Sequence, residues 1–167
     1  MATTKITDGA SYINSLRNRT LAVYVLGQKV DDIVDHPLIR PSINAVAATY
    51  DLAVSQPELA SVISPFTGER ISRFLHVCTS VEDMVNQGKM QRKLGQLTGT
   101  CFQRCVGMDA FNALYSTTFE LDEQHRTAYH GRFKAFLTEM HRGNFVVGGA
   151  MTDVKGDRSL APHEQAD

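Results

Sequence analysis

Thr100-Cys-Phe-Gln-Arg-Cys-Val-Gly-Met-Asp-Ala-Phe-Asn112 carries two cysteines four residues apart, Cys101 and Cys105. On a helix, positions i and i+4 share a face, with Cβ atoms about 5–6 Å apart. Phe102, Val106, Met108, Ala110, Phe111, Ala113 and Leu114 suit a buried helix here. One face would then present two thiols together. Zinc and iron–sulfur sites usually take four protein ligands, so such a pair is half of a metal centre. The same pattern also suits two small core residues, since free cysteine is often buried. The spacing alone leaves both readings open.

Composition narrows the class. The chain has 167 residues, 43% apolar and 21% charged, with a net charge of −1. That is enough for one domain with a real core. The near-neutral balance argues against nucleic acid or an anionic membrane as a charge-driven partner. Lys89-Met-Gln-Arg-Lys93 is a local basic cluster and reads as a solvated helix face. No run approaches the roughly 18 apolar residues of a membrane span. The first residues lack the apolar core of a signal peptide. Three cysteines, an odd number, fit free or metal-bound thiols in a reducing compartment. A cytoplasmic location is expected. The last residues, 162–167, read as an interruption rather than a stop.

The pattern predicts a mainly helical fold. Thr7 or Asp8 caps a first short helix through Ser11, Tyr12, Ile13 and Leu16. Leu21-Ala-Val-Tyr-Val-Leu26 reads as a short strand or extended segment ending at Gly27. Pro37 and Pro41 stiffen a connector, and Pro41 then suits the first turn of a helix to about Ser55. That helix would place Ile43, Val46, Ala47, Tyr50 and Leu52 on an apolar side. Ser64-Pro-Phe-Thr-Gly68 is a loop, and Arg70 to Val77 suggests a strand pair. Ser80, with Asp83 three residues on, opens a long helix to about Leu97. The cysteine helix is expected from Gly99 or Thr100 to about Leu121. A last helix covers about Thr127 to His141, stopped by Gly143-Asn144. Phe145-Val-Val147 is β-like. A boundary therefore falls near residue 145, dividing 1–145 from 146–167.

Other chemistry-bearing residues are sparse. Cys78 has no partner at ligand spacing and reads as a core thiol. The six histidines, His36, His76, His125, His130, His141 and His163, read singly as surface or packed residues. Met151-Thr-Asp-Val-Lys-Gly-Asp-Arg158 is a polar loop. The Thr152 hydroxyl and backbone amides freed by Gly156 could hold a polar ring edge or a phosphate. A solvated turn is the plainer alternative.

Four segments together carry a resemblance. They are Asp35-His-Pro-Leu-Ile-Arg-Pro-Ser-Ile-Asn44, Lys89-Met-Gln-Arg92, the cysteine stretch, and Gly149-Ala-Met-Thr-Asp-Val-Lys-Gly-Asp-Arg-Ser-Leu-Ala-Pro162. They resemble the 4-hydroxybutyryl-CoA dehydratase/vinylacetyl-CoA Δ-isomerase family, within the 4-hydroxyphenylacetate 3-hydroxylase superfamily, from about Tyr12 to Asp167. The resemblance implies the N-terminal helical domain of an acyl-CoA-dehydrogenase-like fold, followed by the start of a central β domain. It implies FAD, a [4Fe–4S] cluster, an acyl-CoA substrate, missing C-terminal domains and a homotetramer. By motif, Cys101 and Cys105 would be cluster ligands. Met151, Thr152, Asp153, Lys155, Gly156, Asp157 and Arg158 would border the flavin. No catalytic acid or base is implied within these residues. The implied reaction removes water from 4-hydroxybutyryl-CoA to give crotonyl-CoA by a radical route, and this piece alone would be inactive.

Two other expectations stand beside it. One is a flavin-dependent 4-hydroxyphenylacetate 3-monooxygenase-type oxygenase with inert cysteines; that branch lacks the pair, so the pair favours the dehydratase branch. The other is a free-standing helical interaction module with a closed polar surface.

Overall fold

A computed structural model describes residues 4–17, 19–149, 157 and 159–165. Six helices dominate it: α1 (Gly9–Arg17), α2 (Arg40–Ser55), α3 (Pro57–Ala60), α4 (Val81–Thr98), α5 (Cys105–His125) and α6 (Tyr129–Gly143). Two antiparallel ribbons interrupt them. β1 (Val23–Val25) pairs with β2 (Gln28–Val30), and β3 (Ser61–Ile63) pairs with β4 (Arg70–Ser72). Short 3-10 turns occupy Arg73–Leu75 and Pro162–Glu164. The mainly helical expectation is met.

Local chemistry explains most element boundaries. Pro41 sits in the first turn of α2, where its missing N–H is harmless. Ser80 caps α4 by accepting from the Asp83 N–H at 3.1 Å, and the Asp83 carboxylate accepts from the Thr79 N–H at 3.1 Å. Gly99 ends α4 at φ 61, in the left-handed region that glycine enters freely. Asp122, near the end of α5, accepts from the N–H groups of Tyr129 and His130 at 2.8 and 2.9 Å. It thereby caps the start of α6 from the preceding helix. Asn144 closes α6 at φ 50.

Three apolar clusters form the core. Ala45, Leu52, Phe74, Met90, Leu94, Phe102 and Met108 pack between α2, α4 and α5. Ile71, Leu75, Phe111 and Leu137 join β4 and the following turn to α5 and α6. Ile6, Val46 and Tyr50 hold the N-terminal strip, with Phe145 and Val146 against them. Asn144 knots these parts together. Its side chain donates to Ile6 O and accepts from the Ser72 N–H, both at 2.8 Å, and its carbonyl accepts from the Tyr50 hydroxyl at 2.6 Å.

Several details differ from the sequence reading. The expected strand pair within 70–77 instead takes its first strand from residues 61–63, and residues 73–75 turn into 3-10 geometry. Phe145-Val-Val147 forms no strand, because it lies against α5 and the core rather than beside an open strand edge. The cysteine helix starts five residues later than expected, at Cys105. No described helix is long and apolar enough to cross a membrane.

Candidate cofactor site

The cysteine stretch begins where α4 must turn back into α5. Residues 100–104 make this reversal without regular structure. Gln103 adopts φ 61, an uncommon conformation for a residue with a side chain. Its N–H approaches the Cys101 sulfur at 3.4 Å. Cys101 is therefore on an exposed loop, and Cys105 is half-buried in the first turn of α5. The shared helical face is a mistaken expectation: Gly99 stops the preceding helix, and the turn needs the residues after it. Both thiols are free.

The start of α5 suits an anionic group. Arg104 occupies the cap position without capping the helix through its side chain. Among the described residues the first-turn N–H groups have no side-chain partner, and the positive end of the helix dipole lies beside Cys105. Thiolate ligands and a negatively charged cluster fit that end. Among the described residues, no group of three or more His, Cys, Asp or Glu side chains gathers at metal-ligating range.

The 145–149 run lies across this helix start. A Cβ on Gly107 would meet Val147 O at 2.1 Å, and one on Gly149 would meet the Val106 side chain at 2.2 Å. Only glycine permits so close a seam. Beside it opens a cleft of about 470 Å³, walled by Tyr12, Ser42, Val46, Gln103, Val146 and Gly149. It places α1, α2, the cysteine loop and the 145–149 run around one space.

Sequence reasoning missed the most buried charge in this region. Arg104 is 1% exposed. Its guanidinium lies between the rings of Tyr50 and Phe74, 4.6 and 4.8 Å from their centroids. It donates to Thr49 Oγ1 at 2.8 Å and to Phe145 O at 3.3 Å. No carboxylate pairs with it among the described residues. Burial lowers its pKa, and the nearby Tyr50 and Tyr12 oppose that shift. Burial in turn pushes Tyr50 up to about 12 against the pull of Arg104. Hydropathy patterns treat arginine as surface, so only its place inside the cysteine motif hinted at a role.

The remaining expected residues are distributed as follows. Met151, Thr152, Asp153, Lys155, Gly156 and Arg158 lie outside the described residues. Asp157 is exposed, and its carboxylate accepts from the Ser159 N–H and hydroxyl at 2.9 and 2.7 Å. Those bonds hold its pKa below the usual value. Cys78 is half-buried, with its N–H on Asn112 Oδ1 at 2.7 Å. Burial raises its thiol pKa. His141 is fully buried between Ser64 Oγ and Leu75 O. It is a packed histidine, with its pKa lowered by burial.

Residues 8–167 match the family model described as 4-hydroxyphenylacetate 3-hydroxylase N terminal. The chain belongs to this family. Within it, the sequence is 50% identical over 159 residues to the 4-hydroxybutyryl-CoA dehydratase/vinylacetyl-CoA-Δ-isomerase of Clostridium aminobutyricum, covering 93% of this chain and 32% of that protein. A solved oxygen-tolerant archaeal 4-hydroxybutyryl-CoA dehydratase from N. maritimus is 61% identical, with a TM-score of 0.87 over 98% of this chain and 33% of that one. The oxygenase component of 4-hydroxyphenylacetate 3-monooxygenase, solved with FAD and 4-hydroxyphenylacetate, has a TM-score of 0.63 at 19% identity, over 96% of this chain and 33% of that one. That last likeness is one of fold. The chain spans about a third of the length of the relatives it matches.

Proposed function

We propose that this chain is the N-terminal part of a 4-hydroxybutyryl-CoA dehydratase with vinylacetyl-CoA Δ-isomerase activity. The reading rests on one observation above all. Two free thiols, one on a motif loop and one in the first turn of the helix it leads into, lie in a chain 61% identical to a dehydratase of that name. In this reading Cys101 and Cys105 hold one side of a [4Fe–4S] cluster, which supplies Lewis acidity toward a leaving hydroxyl. FAD borders Met151, Thr152, Asp153, Lys155, Gly156, Asp157 and Arg158. The domain division falls at 145/146, with a β domain opening beyond it.

What this chain contributes is placement. The cysteine loop and the start of α5 carry the two thiols beside the cleft, and the 145–149 run precedes the flavin-motif residues in the chain. The other cluster ligands and the acid/base residues belong to the rest of the protein, as do most contacts to the acyl-CoA. The exposed apolar side chains Leu114, Phe119 and Leu121 of α5 and Tyr129 and Phe136 of α6 offer packing surface to those parts. They disfavour a self-contained module. A cytoplasmic homotetramer completes the proposal.

A flavin-dependent oxygenase is the alternative, favoured by 30% identity over 77 residues to a Geobacillus 4-hydroxyphenylacetate 3-monooxygenase oxygenase component. The deciding experiment uses the full-length parent, purified without oxygen. Iron–sulfur absorbance and crotonyl-CoA formation are expected, with iron lost in both Cys101→Ser and Cys105→Ser. Iron-free protein that hydroxylates an aromatic substrate would refute the dehydratase reading. The 167-residue chain alone is expected to form no crotonyl-CoA.

A further inference from the structure

We infer that Arg104 is a positioning residue that locks the cysteine loop in register with the 145–149 run, which precedes the flavin-motif residues in the chain. The inference builds on the functional reading above but stands on separate geometry. A buried guanidinium is expensive to desolvate, and no carboxylate offsets it here among the described residues. Two aromatic faces and two hydrogen bonds offset part of that cost, while the Nε finds no partner among the described residues. Those partners come from three different elements: Thr49 and Tyr50 from α2, Phe74 from the 3-10 turn, and Phe145 from the terminal run.

The arrangement makes one side chain the junction of the site. Arg104 adjoins Cys105 in the chain, so fixing its side chain fixes where α5 begins. Phe145 is held from one side by its N–H on Met140 O at 3.1 Å, and from the other by Arg104. The seam between loop and run has two further contacts, Gly107 with Val147 and Val106 with Gly149. Both are steric and resist approach, but neither prevents sliding. Among the described residues, the bond from Arg104 to Phe145 O is the directional link across the seam. A planar fork can reach Thr49 and Phe145 at once, whereas a lysine ammonium lacks that fixed geometry.

The test is amide hydrogen exchange on the 167-residue chain, comparing wild type with Arg104→Met, Arg104→Lys and Thr49→Val. Leu94→Ala serves as a globally destabilised reference. Both Arg104 variants are expected to speed exchange at 101–107 and 145–149 together by at least about tenfold, the range for losing a hydrogen bond to a charged group. Exchange in α4 and in the middle of α6 should stay close to wild type. If the Met variant fails to fold, the Lys and Thr49→Val variants carry the comparison. The inference is overturned if Arg104→Lys protects both segments normally. It is also overturned if only 101–107 loosens, or if all helices accelerate uniformly as in Leu94→Ala. In the full-length parent, Arg104→Lys should lower iron and flavin occupancy together. A parent that never binds iron would sink the functional reading while leaving the exchange result intact.

Discussion

Gly107 lies in the first turn of α5 beneath the backbone of Val147, and replacing it with alanine sets two known effects against each other. The substitution should favour the helix by about 0.8–1 kcal/mol, since Gly107 has ordinary helical geometry. Against this, the new Cβ would sit 2.1 Å from Val147 O and 2.7 Å from its carbonyl carbon. The obstacle is backbone, so no rotamer change relieves it, and the 145–149 run must retreat by more than an ångström. Overpacking of this kind costs about 1–3 kcal/mol. Disturbing the Arg104 bond to Phe145 O adds about 1 kcal/mol or more. Steric and polar losses outweigh the helix gain, leaving a net destabilisation of about 1–3 kcal/mol. For a chain of this size that lowers Tm by about 3–10 °C. Gly95→Ala in α4 is the control, because nothing lies within 4 Å of its added Cβ. It should raise Tm by about 2–4 °C through helix propensity alone. Thermal unfolding followed by circular dichroism reads both. If Gly107→Ala melts at or above wild type, the seam between α5 and the 145–149 run is not the constraint described here.

Two further outcomes are expected. Tyr50→Phe removes the hydroxyl that donates to Asn144 O at 2.6 Å in a fully buried setting. It should cost about 1–2 kcal/mol in urea unfolding, with an unchanged value arguing against that bond. Burial raises the Asp83 pKa, but the Thr79 N–H, His76 and Ser80 outweigh it and bring the pKa down to about 2. A depressed carboxylate stabilises the fold above its unfolded pKa near 3.9, and that support is lost as pH falls through the folded value. Urea unfolding between pH 5 and about 2 should therefore show wild-type stability falling toward that of Asp83→Asn. Curves that stay parallel across that window would contradict the assignment.

The element order was legible because its signals are local. Ser80 with Asp83, Gly99, Pro41 and Gly143-Asn144 act within a turn or two of themselves, so their chemistry reads directly from neighbouring residues. The motif likewise marked Cys101 and Cys105 as a pair and pointed to the family. Only the tertiary structure decided how the pair is held. Whether Cys101 continues α5 or precedes it depends on how sharply the chain must reverse after α4, which is set by α2 and α4 packing around Phe102. Whether Arg104 faces water or the core depends on Tyr50, Phe74 and Phe145 arriving from positions 30 to 54 residues away in the chain. Helical periodicity carries no information about such distant partners. The spacing of the cysteines and the family motif around them were written in the sequence; the loop that carries one of them, and the buried cation beside it, exist only in the packed fold.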